Sequence, residues 1–210
     1  SIRLASLMNI NSSYIFTHDS IYLGEDGPTH QPIEHLMSLR LIPGLDVIRP
    51  SNSTEITHSY NYLFSNTDSP KALSLTRQNL EYLDYEVDYK DFLYGGFIIS
   101  EGEDFTIFAS GSEVNIALEL KERFEQYSVR VVSVPILNKL TPEKSKTLNN
   151  NKLAFTIELG KSIGWSDYIG NVTESFSIQT FGKSAPMEDL GKFFELNVDS
   201  IAKKIKRYLD

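Results

Sequence analysis

Residues 45–77 read LDVIRPSNSTEITHSYNYLFSNTDSPKALSLTR and alternate between strand-like and helix-like patterns. The runs at 45–48 and 71–76 are short and rich in apolar, β-prone residues, which is typical of strands. Between them, Ser53 and Thr54 are candidate N-caps for a helix. A strand–helix–strand order of this kind predicts a layer of parallel strands covered by helices.

The chain before this segment continues the same alternation. Residues 1–12 have apolar positions at helical spacing and predict the end of a helix, and residues 14–17 are β-prone. The stretch 24–32 carries too many glycine and proline residues for either element, so we expect a loop. A further helix is predicted over residues 31–41.

A second α/β unit begins near Asp104 and predicts a sheet of its own. Ser110 and Glu113 have the spacing of a capping box, in which the two side chains bond to backbone N–H groups at a helix start. The basic run 203–207 ends the last helix and offsets its dipole, which explains it better than nucleic-acid binding. The other predicted elements are strands at 105–109, 129–134 and 153–158 and helices after Glu113, near Met187 and from Val198 onward.

The acidic stretch 81–104 joins the two units. It holds eight of the 28 acidic residues and a single base, Lys90. We predict an ordered connection with a short strand at 97–99, and a solvated acidic surface explains the charge better than an interaction motif does. The predicted domains are therefore 1–80 and 105–210, with 81–104 as the connection.

Composition excludes several classes of protein. The 210 residues carry 28 acidic and 20 basic side chains, a formal net charge of −8. Such a protein lacks the basic face that nucleic acids and anionic membranes require, so neither is expected as a partner. The absence of cysteine excludes disulfides, thiolate catalysis and cysteine-bound zinc. No apolar run reaches the ~18 residues of a membrane span, and we expect a cytoplasmic protein.

Two candidate sites in the sequence are weak. The turn Ser110–Ser112 could cradle a phosphate at a helix start, but it has one glycine where nucleotide-binding loops have two or three. An ordinary capped helix explains it better. A second set of side chains could ligate a metal, but their spacing matches no metal motif and we predict no metal site. That set is His18, Asp19, Glu25, Asp26, His30 and His35.

The loop of residues 18–32, HDSIYLGEDGPTHQP, is the strongest candidate. Glycine and proline can hold its polar side chains in place at low entropic cost. A histidine at a strand end can donate to a phosphate or move a proton. Composition alone favours a ligand site and a plain surface loop about equally.

Longer sequence matches decide between these two interpretations. Residues 17–20 (THDS) and 24–34 (GEDGPTHQPIE) closely resemble the sugar-binding signature of transketolases. The segment LTRQNL at 75–80 is similar to the strand end and arginine that follow in that family. In the second unit, 109–114 (ASGSEV) and 180–186 (TFGKSAP) resemble the family's C-terminal domain. The resemblance runs through nearly the whole chain, in order.

The resemblance implies a fold and an activity. The fold is a partial, parallel-sheet pyrimidine-binding domain followed by a three-layer α/β/α C-terminal domain with a mostly parallel sheet. The activity is that of a transferase that moves a two-carbon ketol unit in the pentose phosphate pathway. The donor is a ketose phosphate such as xylulose 5-phosphate, and the acceptor is an aldose phosphate such as ribose 5-phosphate.

The resemblance also implies cofactors that this chain is not expected to bind. Transketolases use thiamine diphosphate and a divalent cation, Mg²⁺ or Ca²⁺. In the family these are held by upstream residues and by the facing subunit of a homodimer. We therefore expect the chain alone to bind neither cofactor and to be inactive without the missing amino-terminal part.

Four site residues follow from the family pattern. His18 and Arg77 are expected to bind the sugar phosphate, and a guanidinium suits this because it makes planar, bidentate, charge-assisted contacts. Asp26 and His30 are expected to meet the hydroxyl and carbonyl groups of the substrate, with His30 as the catalytic residue.

Two alternative functions stay open. A relative resembling dihydroxyacetone synthase would share the phosphate-binding residues and differ in its acceptor. A non-catalytic assembly or dimerisation module would fit the second unit, which has no histidine.

The resemblance carries two structural expectations as well. Tyr22 stands where the family commonly has glycine, so its ring would either narrow the mouth of the site or pack across an interface. Because the first strands of the pyrimidine-binding domain are missing, we expect exposed apolar surface near residues 1–17 and 70–80.

Overall fold

The chain forms two β-sheets with helices packed against them in a computed structural model that describes residues 1–209. Two short 3₁₀ turns, Ile21–Leu23 and Leu137–Lys139, lie in the loops. The helices are α1 (Ile2–Leu7), α2 (His35–Arg40), α3 (Ser53–Leu63), α4 (Tyr89–Leu93), α5 (Glu113–Arg123), α6 (Pro142–Leu148), α7 (Trp165–Ile169), α8 (Met187–Phe193) and α9 (Val198–Leu209). The strands are β1 (Ser13–Thr17), β2 (Asp46–Ile48), β3 (Lys71–Leu75), β4 (Phe97–Ser100), β5 (Phe105–Ala109), β6 (Val129–Ser133), β7 (Leu153–Glu158) and β8 (Glu174–Ser177).

The first sheet has three parallel strands in the order β1-β3-β2. Its pairing register places Thr17 opposite Leu75, so β1 and β3 end together at one edge. The central strand β3 is buried, whereas β1 leaves Ile15 and Phe16 exposed. The predicted apolar surface near residues 1–17 is therefore confirmed. The same prediction for 70–80 is wrong, because β3 lies between two neighbours and buries its apolar side chains.

The second sheet has five strands in the order β4-β6-β5-β7-β8, all parallel except β4, which runs antiparallel to β6. Alternate residues of β5 enter two different cores. Phe105 and Ile107 pack with α5 and α9, while Phe108 packs with residues of α6 and α7 such as Leu148 and Trp165. Helices therefore cover both faces, and the expected α/β fold with a three-layer second unit is confirmed.

Several helix starts differ from the predictions. Helix α3 is capped by Asn52, whose side-chain oxygen accepts from the Glu55 N–H at 2.9 Å, and neither Ser53 nor Thr54 is the cap. Helix α2 begins at His35, later than predicted. Proline disfavours a helical backbone at the residue before it. Pro32 lies inside the predicted helix, so Gln31 is a poor position for a helix to begin.

The acidic connection is ordered by contacts to α3. The Asn52 side-chain amide donates to the carbonyl oxygens of Leu83 and Tyr85, and the Tyr85 hydroxyl donates to Glu55 at 2.6 Å. The predicted strand at 97–99 is confirmed as β4. Within residues 1–209, none of the helices combines the length and apolarity needed to cross a bilayer.

Candidate active site

The loop that follows β1 leaves the carboxyl edge of the first sheet, where ligands of parallel α/β sheets usually bind. His18 takes a left-handed backbone conformation, with φ +65°, and turns the chain out of the strand. The next residue, Asp19, is buried. The Ser20 side chain then accepts from the Tyr22 N–H at 3.2 Å and caps a short 3₁₀ turn. This turn directs the loop back towards α2.

Three of the four predicted site residues line one cleft. His18, Asp26 and His30 meet around a cavity of about 670 Å³ between this loop, α1 and α2. All three side chains are exposed to it, and apolar residues such as Phe16 and Leu39 form part of its wall. Polar tips set on a partly apolar wall are typical of a small-molecule site.

Three histidines, His18, His30 and His35, line the cleft, and the rings of His18 and His30 are oriented in the same way. The Nδ1 atom of His18 lies 2.8 Å from the hydroxyl of Thr17, and that of His30 lies 2.9 Å from the hydroxyl of Thr29. Within residues 1–209, neither ring has a hydrogen-bond partner at Nε2. The Nε2 atom of each imidazole is therefore available as a donor or acceptor.

Arg77 does not line this cleft. It lies two residues beyond the end of β3, is exposed, and has no ion-pair partner within residues 1–209. Because Thr17 pairs with Leu75, Arg77 and His18 follow the ends of neighbouring strands at the same edge of the sheet. The fourth histidine, His58, lies outside the cleft, where its Nε2 is 2.7 Å from the Val87 carbonyl oxygen.

Sequence reasoning missed a buried cluster of charges behind the cleft. Arg49 follows β2, is fully buried and contacts three carboxylates. Its Nε donates to Asp19 at 2.8 Å, its Nη2 to Glu113 at 2.9 Å and its Nη1 to Glu158 at 3.0 Å. The arginine therefore ties the residue next to His18 to the second sheet.

A second guanidinium completes the cluster. Arg40 donates to Glu158 at 2.6 Å, and the Trp165 indole N–H donates to the same carboxylate. Burial alone would lower the pKa of Arg49, but its three carboxylates outweigh burial and hold that pKa above its ordinary value. For the carboxylate of Glu158 burial acts in the opposite direction and would raise the pKa, but Arg40 and Arg49 hold that pKa below its usual range.

The cluster also corrects the prediction of a capping box. The Glu113 carboxylate binds Arg49 and accepts from Ser112, and the Ser110 side chain accepts from Arg49 at 3.1 Å. Gly111 has φ +59°, and a Cβ there would lie 3.0 Å from Arg49 Cζ. The turn that could have cradled a phosphate is therefore filled by a guanidinium. A usable signal was present for two of these charges, because Arg49 directly follows β2 and Glu158 is the last residue of β7.

Tyr22 packs across the junction of the two units. Its ring is half-buried against the core that contains α5 and α8 residues. Of the two expectations for this ring, the structure therefore shows packing across an interface.

The side chains of residues 1–209 were compared with the needs of a divalent cation and a diphosphate. Within residues 1–209, no three His, Cys, Asp or Glu side chains stand close enough to hold a metal ion. The turn at Gly111, the one candidate cradle for a diphosphate, is occupied by Arg49. The divalent cation and diphosphate implied by the sequence resemblance therefore do not fit the residues of this chain alone.

Comparison with known proteins identifies the family. The family model for the transketolase pyrimidine-binding domain matches residues 1–82, and that for the transketolase-like C-terminal domain matches residues 95–197. The chain belongs to the transketolase family. The transketolase of Halalkalibacterium halodurans is 39% identical over the whole chain, which covers 33% of that protein.

Solved transketolases share the fold. The transketolase from Leishmania mexicana is 32% identical with a TM-score of 0.90, and the match covers 100% of this chain and 32% of that one. A transketolase from Pichia stipitis in complex with sedoheptulose 7-phosphate is 31% identical, with a TM-score of 0.89. That match covers 98% of this chain and 31% of the other. The chain thus spans about a third of the length of the transketolases it matches.

Proposed function

We propose that this chain acts as part of a longer transketolase and supplies the sugar-phosphate side of its active site. The single observation that carries the proposal is the cleft that brings His18, Asp26 and His30 together in a transketolase-family chain. The reaction would move a two-carbon ketol unit from a ketose phosphate to an aldose phosphate. The sugar phosphate complex of the Pichia stipitis relative supports this substrate class.

His18 and Arg77 would bind the phosphate of the substrate. They follow neighbouring strands at one edge of the sheet, and Arg77 is exposed and unpaired within residues 1–209. An unpaired guanidinium can offer two parallel N–H donors to a phosphate. The free Nε2 of His18 can add a third donor from the other strand.

Asp26 and His30 would act nearer the reacting carbons. A carboxylate accepts hydrogen bonds from sugar hydroxyls, and Asp26 reaches into the cleft from the loop. Nε2 of His30 can donate to a carbonyl oxygen or exchange a proton with a hydroxyl. Thiamine diphosphate, bound with its cation by other parts of the complete enzyme, would supply the carbanion chemistry.

The direct test compares the complete enzyme with this chain. Both are assayed with thiamine diphosphate, Mg²⁺, xylulose 5-phosphate and ribose 5-phosphate. We expect ketol transfer by the full-length protein and none by the 210-residue chain, since it spans only about a third of the transketolases it matches. Product from the isolated chain would contradict the proposal that the cofactors are bound by other parts of the complete enzyme. An inactive full-length protein would contradict the proposed function.

Two further measurements address the finer points. An acceptor screen that compares ribose 5-phosphate with formaldehyde separates a transketolase of the pentose phosphate pathway from a dihydroxyacetone synthase. Mass measurement in solution tests the proposed homodimer. A chain that dimerises without contributing to catalysis in the full-length enzyme would instead support an assembly module.

A further inference from the structure

We propose that the second unit sets the shape of the site loop through Gln31, which makes Gln31 and the backbone at Gly182 positioning elements for Asp26 and His30. The inference rests on the proposed function for its kinetic readout and on the structure alone for its second readout. It assigns a role in the active site to a unit that has no histidine of its own.

Gln31 stands near the end of the site loop (residues 18–32) and is only 3% exposed. Its side-chain nitrogen lies 3.1 Å from the Ile21 carbonyl oxygen, 2.9 Å from that of Gly24 and 2.9 Å from that of Lys183. The first two belong to the site loop, and the third belongs to the second unit. One buried amide therefore closes the loop on itself and joins it to residues 152 positions away.

The side-chain oxygen of Gln31 is also in close contact with the second unit, at Gly182. A Cβ built on Gly182 would overlap the side-chain oxygen of Gln31. Gln31 cannot easily move away, because its nitrogen is held by three carbonyl oxygens and its side chain is buried. Glycine at 182 is therefore required by the close approach of the amide.

Two more hydrogen bonds join the loop to the second unit. The Ser184 hydroxyl donates to the Glu25 carbonyl oxygen, next to Asp26. The Lys161 N–H donates to the carbonyl oxygen of Ile33, the residue that follows the loop, at 2.8 Å. Contacts from the second unit thus bracket the loop on both sides of His30.

Backbone hydrogen bonds pass this constraint to the two site residues. The Gly27 N–H donates to the Gly24 carbonyl oxygen at 3.2 Å, and the His30 N–H donates to the Gly27 carbonyl oxygen at 3.0 Å. The Gly24 carbonyl oxygen also accepts a hydrogen bond from the Gln31 side chain. Asp26 and His30 are therefore placed by a short ladder whose first member is fixed by Gln31.

The test is Gly182→Ala in the full-length protein, with Gly191→Ala as its matched control. Both changes add one methyl group in the second unit, but a Cβ at Gly191 would make only ordinary contacts, the nearest at 3.6 Å. We expect Gly182→Ala to lower kcat about 10- to 100-fold, because a displacement of about 1 Å in a catalytic group has effects of this size. We expect KM for the sugar phosphate to change less than kcat, since the proposed phosphate-binding residues His18 and Arg77 lie outside the ladder.

Amide hydrogen exchange gives the readout that does not depend on activity. In Gly182→Ala the peptide covering residues 24–31 should lose about tenfold or more in protection, while peptides from the central strands of the second sheet stay as in the parent. Gly191→Ala should change neither. Gln31→Met, which keeps the length of the side chain but removes its donors, should reproduce both effects.

Three outcomes would overturn the inference. They are unchanged exchange in residues 24–31, a uniform loss of protection across the chain, or altered exchange with parental kcat. If the parent enzyme shows no ketol transfer, the proposed function fails, whereas the exchange comparison still decides whether the second unit holds the loop.

Discussion

Replacement of Arg49 by methionine should destabilise the protein far more than replacement of any exposed arginine. Methionine has a similar length but removes the guanidinium that contacts Asp19, Glu113 and Glu158 together. Arg40 would still pair with Glu158, but the other two carboxylates would remain buried without a cation within residues 1–209. An uncompensated buried charge is among the most destabilising changes known.

The magnitude follows from burial. Removal of one partner from a buried ion pair costs about 3–5 kcal/mol. For a chain of this size each kcal/mol lowers Tm by about 2–4 °C, so we expect a fall of about 6–20 °C. The loss should be smaller at low pH, because burial raises the pKa of Glu113 and the variant removes Arg49, the contact that lowers it. A group of that kind contributes stability at low pH and loses it as the pH rises through its folded pKa.

The assay is thermal unfolding followed by circular dichroism at several pH values, with Arg123→Met as the matched control. Arg123 pairs with Asp199 at 2.7 Å, but both side chains are more than half exposed. Such pairs contribute about 0–1 kcal/mol, so the control should lower Tm by no more than about 4 °C. Equal shifts for the two variants would refute the argument from burial, and so would an Arg49→Met deficit that grows as the pH falls.

Three more predictions, made with four variants, test other parts of the structure. Burial raises the pKa of Glu55 despite hydrogen bonds that lower it. The contribution of Glu55 to stability is therefore lost as the pH rises through its folded pKa, and Glu55→Gln should make Tm fall less steeply with pH. Parallel curves of Tm against pH for the parent and the variant would contradict this. His30→Ala should lower kcat with little change in Tm. His58→Ala should instead lower Tm and leave the kcat of the folded enzyme unchanged, because of the two only His58 packs against aromatic rings such as the buried Phe92. An unchanged kcat in His30→Ala would contradict its proposed catalytic role. Arg77→Leu should lower kcat/KM about 10- to 100-fold for a ketose phosphate but not for the same unphosphorylated ketose, and an equal loss for both would argue against phosphate binding.

The sequence was sufficient for the parts of the structure that depend on local pattern. The parallel layer around 45–77 followed from alternating strand and helix signals, and β7 was predicted at the residues where it lies. The cleft residues His18, Asp26 and His30 came from one continuous loop, whose resemblance to transketolases was visible in consecutive letters.

Contacts between distant residues were beyond the reach of such patterns. Arg49 and Glu158 are 109 positions apart, and only the meeting of the two sheets brings them to 3.0 Å. The capping box failed for the same reason. Ser110 and Glu113 had the right spacing, but a buried guanidinium binds the carboxylate more strongly than a backbone N–H does. The local rule was correct in itself and was overridden by a tertiary contact.

The arrangement of these contacts argues against a purely structural second unit. Asp19 and Arg49 follow strands of the first sheet, while Glu158 ends β7 and Glu113 begins α5, the helix that follows β5. The two sheets therefore meet through the edges at which parallel strands usually bind ligands. A unit joined anywhere else could pack against the first without touching its loop. Because the second unit is joined here, it cannot shift without moving Asp19, the residue next to His18. Substitutions at this edge of the second sheet are therefore predicted to alter the cleft.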